Sequence, residues 1–113
     1  MRVIHVGDGD RVLATDVDVA DTAFARARGL AFRRSIPDDY ALVFRFSGQA
    51  TRRLHMLFVP FDIDAVWAVD NVVQQVKRLS AWTGYGGAVA DTVVELPAGA
   101  AAGVSPGDRL VIR

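Results

Sequence analysis

Apolar and polar residues alternate along most of the chain, the two-residue period of half-buried strands. Ile4 and Val6 point one way in a first strand, and Gly7-Asp8-Gly9-Asp10 then supplies hairpin-type turn chemistry. Leu13, Thr15, Val17 and Val19 share one face of a second strand, with Asp16 and Asp18 on the other. Asp21 is the expected N-cap of a helix over Thr22 to Arg28, which Gly29 ends in a left-handed conformation. That helix is short and has no glutamate at N3, so its stability rests on packing of Phe24 and the alanines.

Pro37-Asp38-Asp39 turns the chain into a strand over Tyr40 to Phe46, with Tyr40, Leu42, Phe44 and Phe46 on one face. Leu54 to Val59 is apolar on both sides, the pattern of a central strand, until Pro60 interrupts it. Ile63 to Val69 and Val72 to Leu79 form a hairpin through Asp70-Asn71, two residues that tolerate positive φ. Ser80 to Ala90 reads as the longest irregular segment, glycine-rich with Trp82 and Tyr85 embedded. Thr92 to Leu96 returns to strand, Pro97 to Gly103 has room for one helical turn, and Arg109 to Ile112 is a last strand. The predicted fold is mainly β, α+β at the margin. It is an antiparallel sandwich or flattened barrel of about eight short strands with one short helix near residues 21–28. The predicted core includes Val17, Leu42, Phe44, Met56, Phe58, Val66, Val94 and Leu110.

Composition narrows what such a fold does. The 113 residues suit a single domain, 1–113, and 51% hydrophobic content is enough to build a core. The absence of cysteine excludes disulfides, thiolate zinc sites and cysteine nucleophiles. Thirteen bases balance thirteen acids, which argues against nucleic-acid binding, because that needs a basic face to displace counterions. Every base except Lys77 is arginine, and every acid except Glu95 is aspartate. The N-terminal residues lack the apolar core of a secretory signal, and no apolar run approaches bilayer-spanning length, so the expectation is a soluble, cytoplasmic protein without a membrane partner.

Four features could carry chemistry. His55, between Leu54 and Met56, offers a polar handle or general base on a strand, or else an ordinary histidine near a strand edge. No serine, cysteine or carboxylate stands at motif spacing from it. Asp62 and Asp64, two residues apart, could join His55 around a hydrolytic metal, but the second histidine, His5, is distant, and solvated turn aspartates are the plainer reading. No metal and no cofactor is expected. Arg33-Arg34 and Arg52-Arg53 could converge on an anion through their guanidinium forks, although neighbours in an extended segment point to opposite sides. Trp82 and Tyr85 place costly apolar area in a flexible loop, a stacking platform for a planar ligand unless the loop folds them onto the sheet.

Three motifs occur in order: Gly29-Leu30-Ala31-Phe32-Arg33, then His55-Met56 followed by Pro60 and Asp62 or Asp64, then Glu95-Leu96-Pro97-Ala98-Gly99 with Gly107-Asp108. In this order the chain resembles a small, widespread family known as domain-of-unknown-function family number 192, from about Val12 onward. The resemblance implies a complete small domain and supplies no activity. It also exposes a departure: typical members resemble Trp-Met-Lys-Asn-Thr where this chain reads His55-Met56-Leu57-Phe58-Val59.

Two function classes follow. One is a non-catalytic ligand- or partner-binding module, its site beside the Ser80–Ala90 loop, with Trp82 and Tyr85 stacking and Arg33, Arg53 and His55 supplying polar contacts. The partner would be a small molecule or a protein, and oligomeric state is left open. The alternative is a small hydrolase, with carbohydrate as its candidate substrate class, which needs two of Asp62, Asp64 and Glu95 to share a cleft with His55.

Overall fold

The computed structural model describes residues 1–113, the side chain of Phe24 excepted, so the packing expected of Phe24 lies outside the described residues. The elements are β1 (Val3–Val6), β2 (Arg11–Ala14), β3 (Asp16–Ala20), α1 (Ala23–Arg28), β4 (Tyr40–His55), β5 (Ile63–Val69), β6 (Val72–Leu79), β7 (Tyr85–Pro97) and β8 (Arg109–Ile112). They form one eight-stranded sheet in the order β2-β1-β8-β6-β5-β7-β4-β3, which does not close into a barrel. Pairing is antiparallel except between β3 and β4, which run parallel because α1 crosses over between them.

Alternation along the strands gives the sheet two apolar faces. Tyr40, Leu42, Phe44, Ile63, Ala65, Trp67 and Val93 pack together on the first, where Leu30 and Met56 join them. Ala41, Val43, Val66, Val94 and Leu96 lie on the second with Val3, Leu110 and Val104. The second face is roofed by the turns between β7 and β8. The first is roofed by α1 and the two loops on either side of β4.

The hairpin at Asp70-Asn71 forms as the sequence predicts, with φ of 49° and 68°. Gly29 also has positive φ, 52°, with ψ of −128°, a conformation that a Cβ disfavours. The N-cap, however, is Thr22 rather than Asp21, since the Thr22 hydroxyl accepts from the Ala25 N–H at 3.0 Å. The expected second strand divides at Thr15, where the N–H groups of Thr15 and Asp16 both donate to the Asp39 carbonyl. Val17, expected in the core, is half-buried beside it.

Two larger corrections bear on the site. Leu54 to Val59 is not a central strand: β4 ends at His55, and the Val59 N–H closes a turn onto the Met56 carbonyl. Met56 drops into the core, and Phe58 stands 45% exposed at φ 64°. The predicted irregular segment Ser80–Ala90 shrinks to a short turn, because Tyr85 to Ala90 continues β7. Its glycines serve close approach rather than looping: a Cβ on Gly86 would meet Trp67 at 3.1 Å and Lys77 at 3.2 Å.

Candidate functional site

Glu95 is the centre of the candidate site. On β7, flanked by Val94 and Leu96, it faces the first apolar face in register with Leu42 of β4 and Ala65 of β5. Its side chain is only 4% exposed. Burial pushes its carboxyl up to about 8, opposed only by the charge of Arg33, so it is largely neutral at pH 7. No hydrogen bond to it forms among the described residues, and its oxygens reach a cavity instead. The close approach of Gly29 shapes that space: an ideal Cβ there would lie 3.5 Å from the Glu95 carboxyl oxygen.

The cavity holds about 200 Å³ between Glu95, the end of α1 and the end of β4, with Arg28, Ala31, Arg53, His55 and Leu57 among its walls. Two larger open spaces adjoin it. One, about 610 Å³, is an apolar groove along Ala31, Phe32, Leu57 and Phe58. The other, about 620 Å³, lies over Thr51, Arg53, Gln75, Lys77 and Tyr85 on the exposed face of β4, β6 and β7. His55 lines all three. Its Nδ1 accepts from the Leu57 N–H at 3.3 Å, which leaves Nε2 to carry the proton of the neutral ring.

Three loops are stitched together around this end of the molecule. The Phe32 N–H donates to the Phe58 carbonyl at 2.9 Å, the Trp82 N–H to the Val59 carbonyl at 3.0 Å, and the Met56 N–H to the Gly84 carbonyl at 3.0 Å. Phe32, Phe58 and Trp82 all sit at positive φ, 70°, 64° and 65°. Bulky residues seldom adopt that region, and here the cross-loop hydrogen bonds hold them in it. Their rings point outward: Phe32 is 70% exposed and Trp82 54% exposed. Phe32 and Phe58 stack at 4.8 Å.

Of the residues singled out from sequence, Arg53, His55 and Tyr85 come together on one exposed face, where His55 and Tyr85 are directly paired across β4 and β7. Lys77 joins them, its ammonium 5.0 Å from the Tyr85 ring centre. Arg33, in the loop after α1, lies apart: it stacks on Tyr40 at 5.0 Å and approaches Asp18 at 3.9 Å. The Tyr40 hydroxyl donates to Asp18 at 2.9 Å, and burial with that bond pushes its ionisation up to about 12. Trp82 stands on the adjoining turn and lines none of these three spaces.

The other carboxylates do not converge on the cleft. Asp62 accepts from the Ala81 N–H at 2.8 Å and fixes the turn that carries Trp82. Asp64 points to the second face, where it accepts from the N–H groups of Gly99 at 2.9 Å and Ala101 at 3.0 Å and from Arg78. No group of three or more metal-ligating side chains exists among the described residues. In the sequence Glu95 stands as a motif residue and as one of three carboxylates open to the hydrolytic alternative, not as the centre of a binding cleft. The signal that marks it is a lone glutamate, in a chain otherwise acidic through aspartate, inside the apolar run Val93-Val94-Glu95-Leu96.

The motifs divide accordingly. Gly29 to Arg33 and His55-Met56 build the cleft. Gly99 and the Gly107-Asp108 pair are scaffold: Gly107 N–H donates to the Val73 carbonyl at 2.7 Å, and Asp108 accepts from Ser105 N–H and His5 at 2.9 Å. Those two contacts, the Ser105 N–H first, hold the Asp108 carboxyl below its usual range.

Two solved structures share this fold. One is a proposed transcription regulator from Sinorhizobium meliloti 1021, 24% identical, covering 97% of this chain and 91% of that one at a TM-score of 0.80. The other is a protein of unknown function from Novosphingobium aromaticivorans DSM 12444, 23% identical, covering 98% and 84% at a TM-score of 0.82. At such identities they establish the fold alone. No curated protein matches the chain in sequence. The model of the DUF192 family, described as Uncharacterized ACR, matches residues 4–112, and with nearly its whole length matched the chain belongs to that family.

Proposed function

We propose that the chain is a non-catalytic ligand-binding module whose site is the cleft floored by Glu95. The observation that carries this reading is a carboxyl group 4% exposed, without a hydrogen-bond partner among the described residues, facing open space. Folding alone gives no reason to bury an acid this way, since an apolar residue would fill the position without the cost of desolvation. The strained aromatic corners around the mouth add to the argument, because backbone strain that surrounding bonds hold in place clusters at binding sites.

In this reading His55, where the three spaces meet, and Arg53, between the cavity and the space over the sheet, are the polar contacts, and Leu57, Phe32 and Phe58 form an apolar lip. Tyr85 of β7, with Lys77 of β6, extends the surface along the sheet. Arg33 acts from the loop after α1, through its charge on Glu95. Trp82 belongs to the outer rim and reports binding rather than making the main contact. The hydrolytic alternative needs a second carboxylate beside Glu95, and Asp62 and Asp64 are both engaged elsewhere.

A thermal-shift screen spanning carboxylic acids, amines, sugars and neutral aromatics tests the reading, because a ligand that binds the native state raises its melting temperature. Ala31, which lines both the cavity and the groove, gives a blocking variant. Stabilising compounds should lose their effect in Ala31→Trp. No shift from any class, or shifts that persist in Ala31→Trp, would place binding elsewhere or nowhere.

A further inference from the structure

We propose that the cleft takes a small amphipathic carboxylic acid, its carboxylate held by the Arg28 and Arg53 guanidiniums and the Glu95 carboxyl group, its apolar body against Leu57 and the stacked Phe32 and Phe58. This rests on the cleft being a binding site, and it names the chemical class bound there. Charge decides the class. The ionisable groups facing the cavity are Arg26 and Arg28 from α1, Arg53 and His55 from β4, and Glu95 itself, with Arg33 acting on Glu95 from the loop after the helix. Every one except Glu95 is basic. A cationic ligand would enter against several arginines, whereas an anion is drawn in by them.

Arg28 and Arg53 are also available. The ion pairs among the described residues involve His5, Arg33 and Arg78, and neither of these two arginines. Arg26 is committed, donating to the Asp21 and Arg45 carbonyls and lying over Phe46. Glu95 fits an anion for a less obvious reason. Being largely neutral at pH 7, its carboxyl offers a hydrogen that a ligand carboxylate can accept, a role an ionised side chain could not fill.

Size and polarity set the rest of the ligand. The cavity of about 200 Å³ has the volume of roughly six or seven water molecules, room for a single ring or a short chain. It opens onto the apolar groove beside Phe32 and Phe58, so the non-acidic end should be hydrocarbon rather than sugar. The bound anion needs Glu95 protonated, so binding is coupled to that proton, and raising the pH past about 8 removes the donor and adds a repelling charge.

Calorimetric titration of the whole chain with 3-phenylpropanoate, the corresponding amine and the corresponding amide, from pH 6 to pH 10, tests this. The acid should bind best. Its affinity should hold steady to about pH 8 and then fall about tenfold per pH unit, the slope of one coupled proton. Glu95→Gln, which keeps a donor but cannot ionise, should bind the acid without that fall. Arg53→Ala should weaken the acid at least about tenfold and leave the amide nearly unchanged, the loss of one charge-assisted contact. His55→Gln should keep the slope, which assigns it to Glu95. Preference for the amine, or acid affinity flat from pH 7 to pH 10 in the unmodified protein, overturns the proposal while leaving the cleft a binding site. If all three compounds fail and the Ala31→Trp screen also finds nothing, the site reading itself falls and the proposal with it.

Discussion

Asp64 and Glu95 leave adjoining strands toward opposite faces of the sheet, and they are its two buried acids, 5% and 4% exposed. Asp64 is saturated: two backbone N–H groups and a guanidinium hold it, and through Gly99 and Ala101 it locks the turn after β7 onto the second face. Glu95 has no such partners and looks into a cavity. One buried acid is thus part of the folding scaffold, and the other is kept at a cost to folding, the contrast on which the proposed binding site rests. Burial does not separate structural from functional acids here. In the proposed reading, hydrogen-bond satisfaction does.

The largest effect that sharpens the contrast is expected at Asp64. Asp64→Ala leaves the buried Ala101 N–H and the part-buried Gly99 N–H without their acceptor and should cost about 3 kcal/mol in denaturant unfolding. A loss under about 1 kcal/mol would mean that the turn is held by its apolar contacts alone. Glu95 should act through pH instead. Its carboxyl takes up protons near 4.5 when unfolded and near 8 when folded, so the native state binds the extra proton between those values. Its contribution to stability is complete below about pH 4.5 and declines as pH rises toward 8, by up to about 1.4 kcal/mol per unit. Between pH 6 and pH 8 this amounts to roughly 2 kcal/mol, and Glu95→Gln should abolish it. An equal decline in that variant would assign the effect to another group.

Smaller effects test the roof of the cleft. Gly29→Ala should cost about 1–3 kcal/mol, because φ of 52° with ψ of −128° is a region that residues with a Cβ avoid. The contacts its Cβ would make, 3.4 Å to Phe44 and 3.5 Å to Glu95, are ordinary, so the loss is conformational rather than steric. Phe58→Ala should cost less than about 1 kcal/mol, far below a core phenylalanine, since the ring is half in solvent and its backbone already strained. A cost of 3 kcal/mol would restore Phe58 to the core that the sequence pattern suggests.

Sequence pattern and structure agree where alternation alone decides: β1, the hairpin of β5 and β6, β8, and the helix that stops at Gly29. They part where an apolar run has two readings. Leu54 to Val59 could fill both sides of a central strand, or drop Met56 into the core while Leu57 and Phe58 form a lip. Only the loop contacts from Gly84 and Phe32 select the second. Tyr85 to Ala90 misleads in the opposite sense, because glycines demanded by Trp67 and Arg53 look like loop glycines. The candidate site is legible in pieces. His55, Arg53 and Tyr85 stand out by residue type, but their meeting depends on the β4–β7 register. Glu95 is hidden by its own motif, whose other members are turn scaffold.

The protonation state of Glu95 decides whether the proposed site stands, and carboxyl-carbon NMR through a pH titration from 5 to 10 reads it directly. The Glu95 resonance should titrate near 8, remain mainly in its protonated form at pH 7, and shift when 3-phenylpropanoate is added. A Glu95 resonance already ionised at pH 5.5, and unmoved by any ligand, would contradict the proposed site.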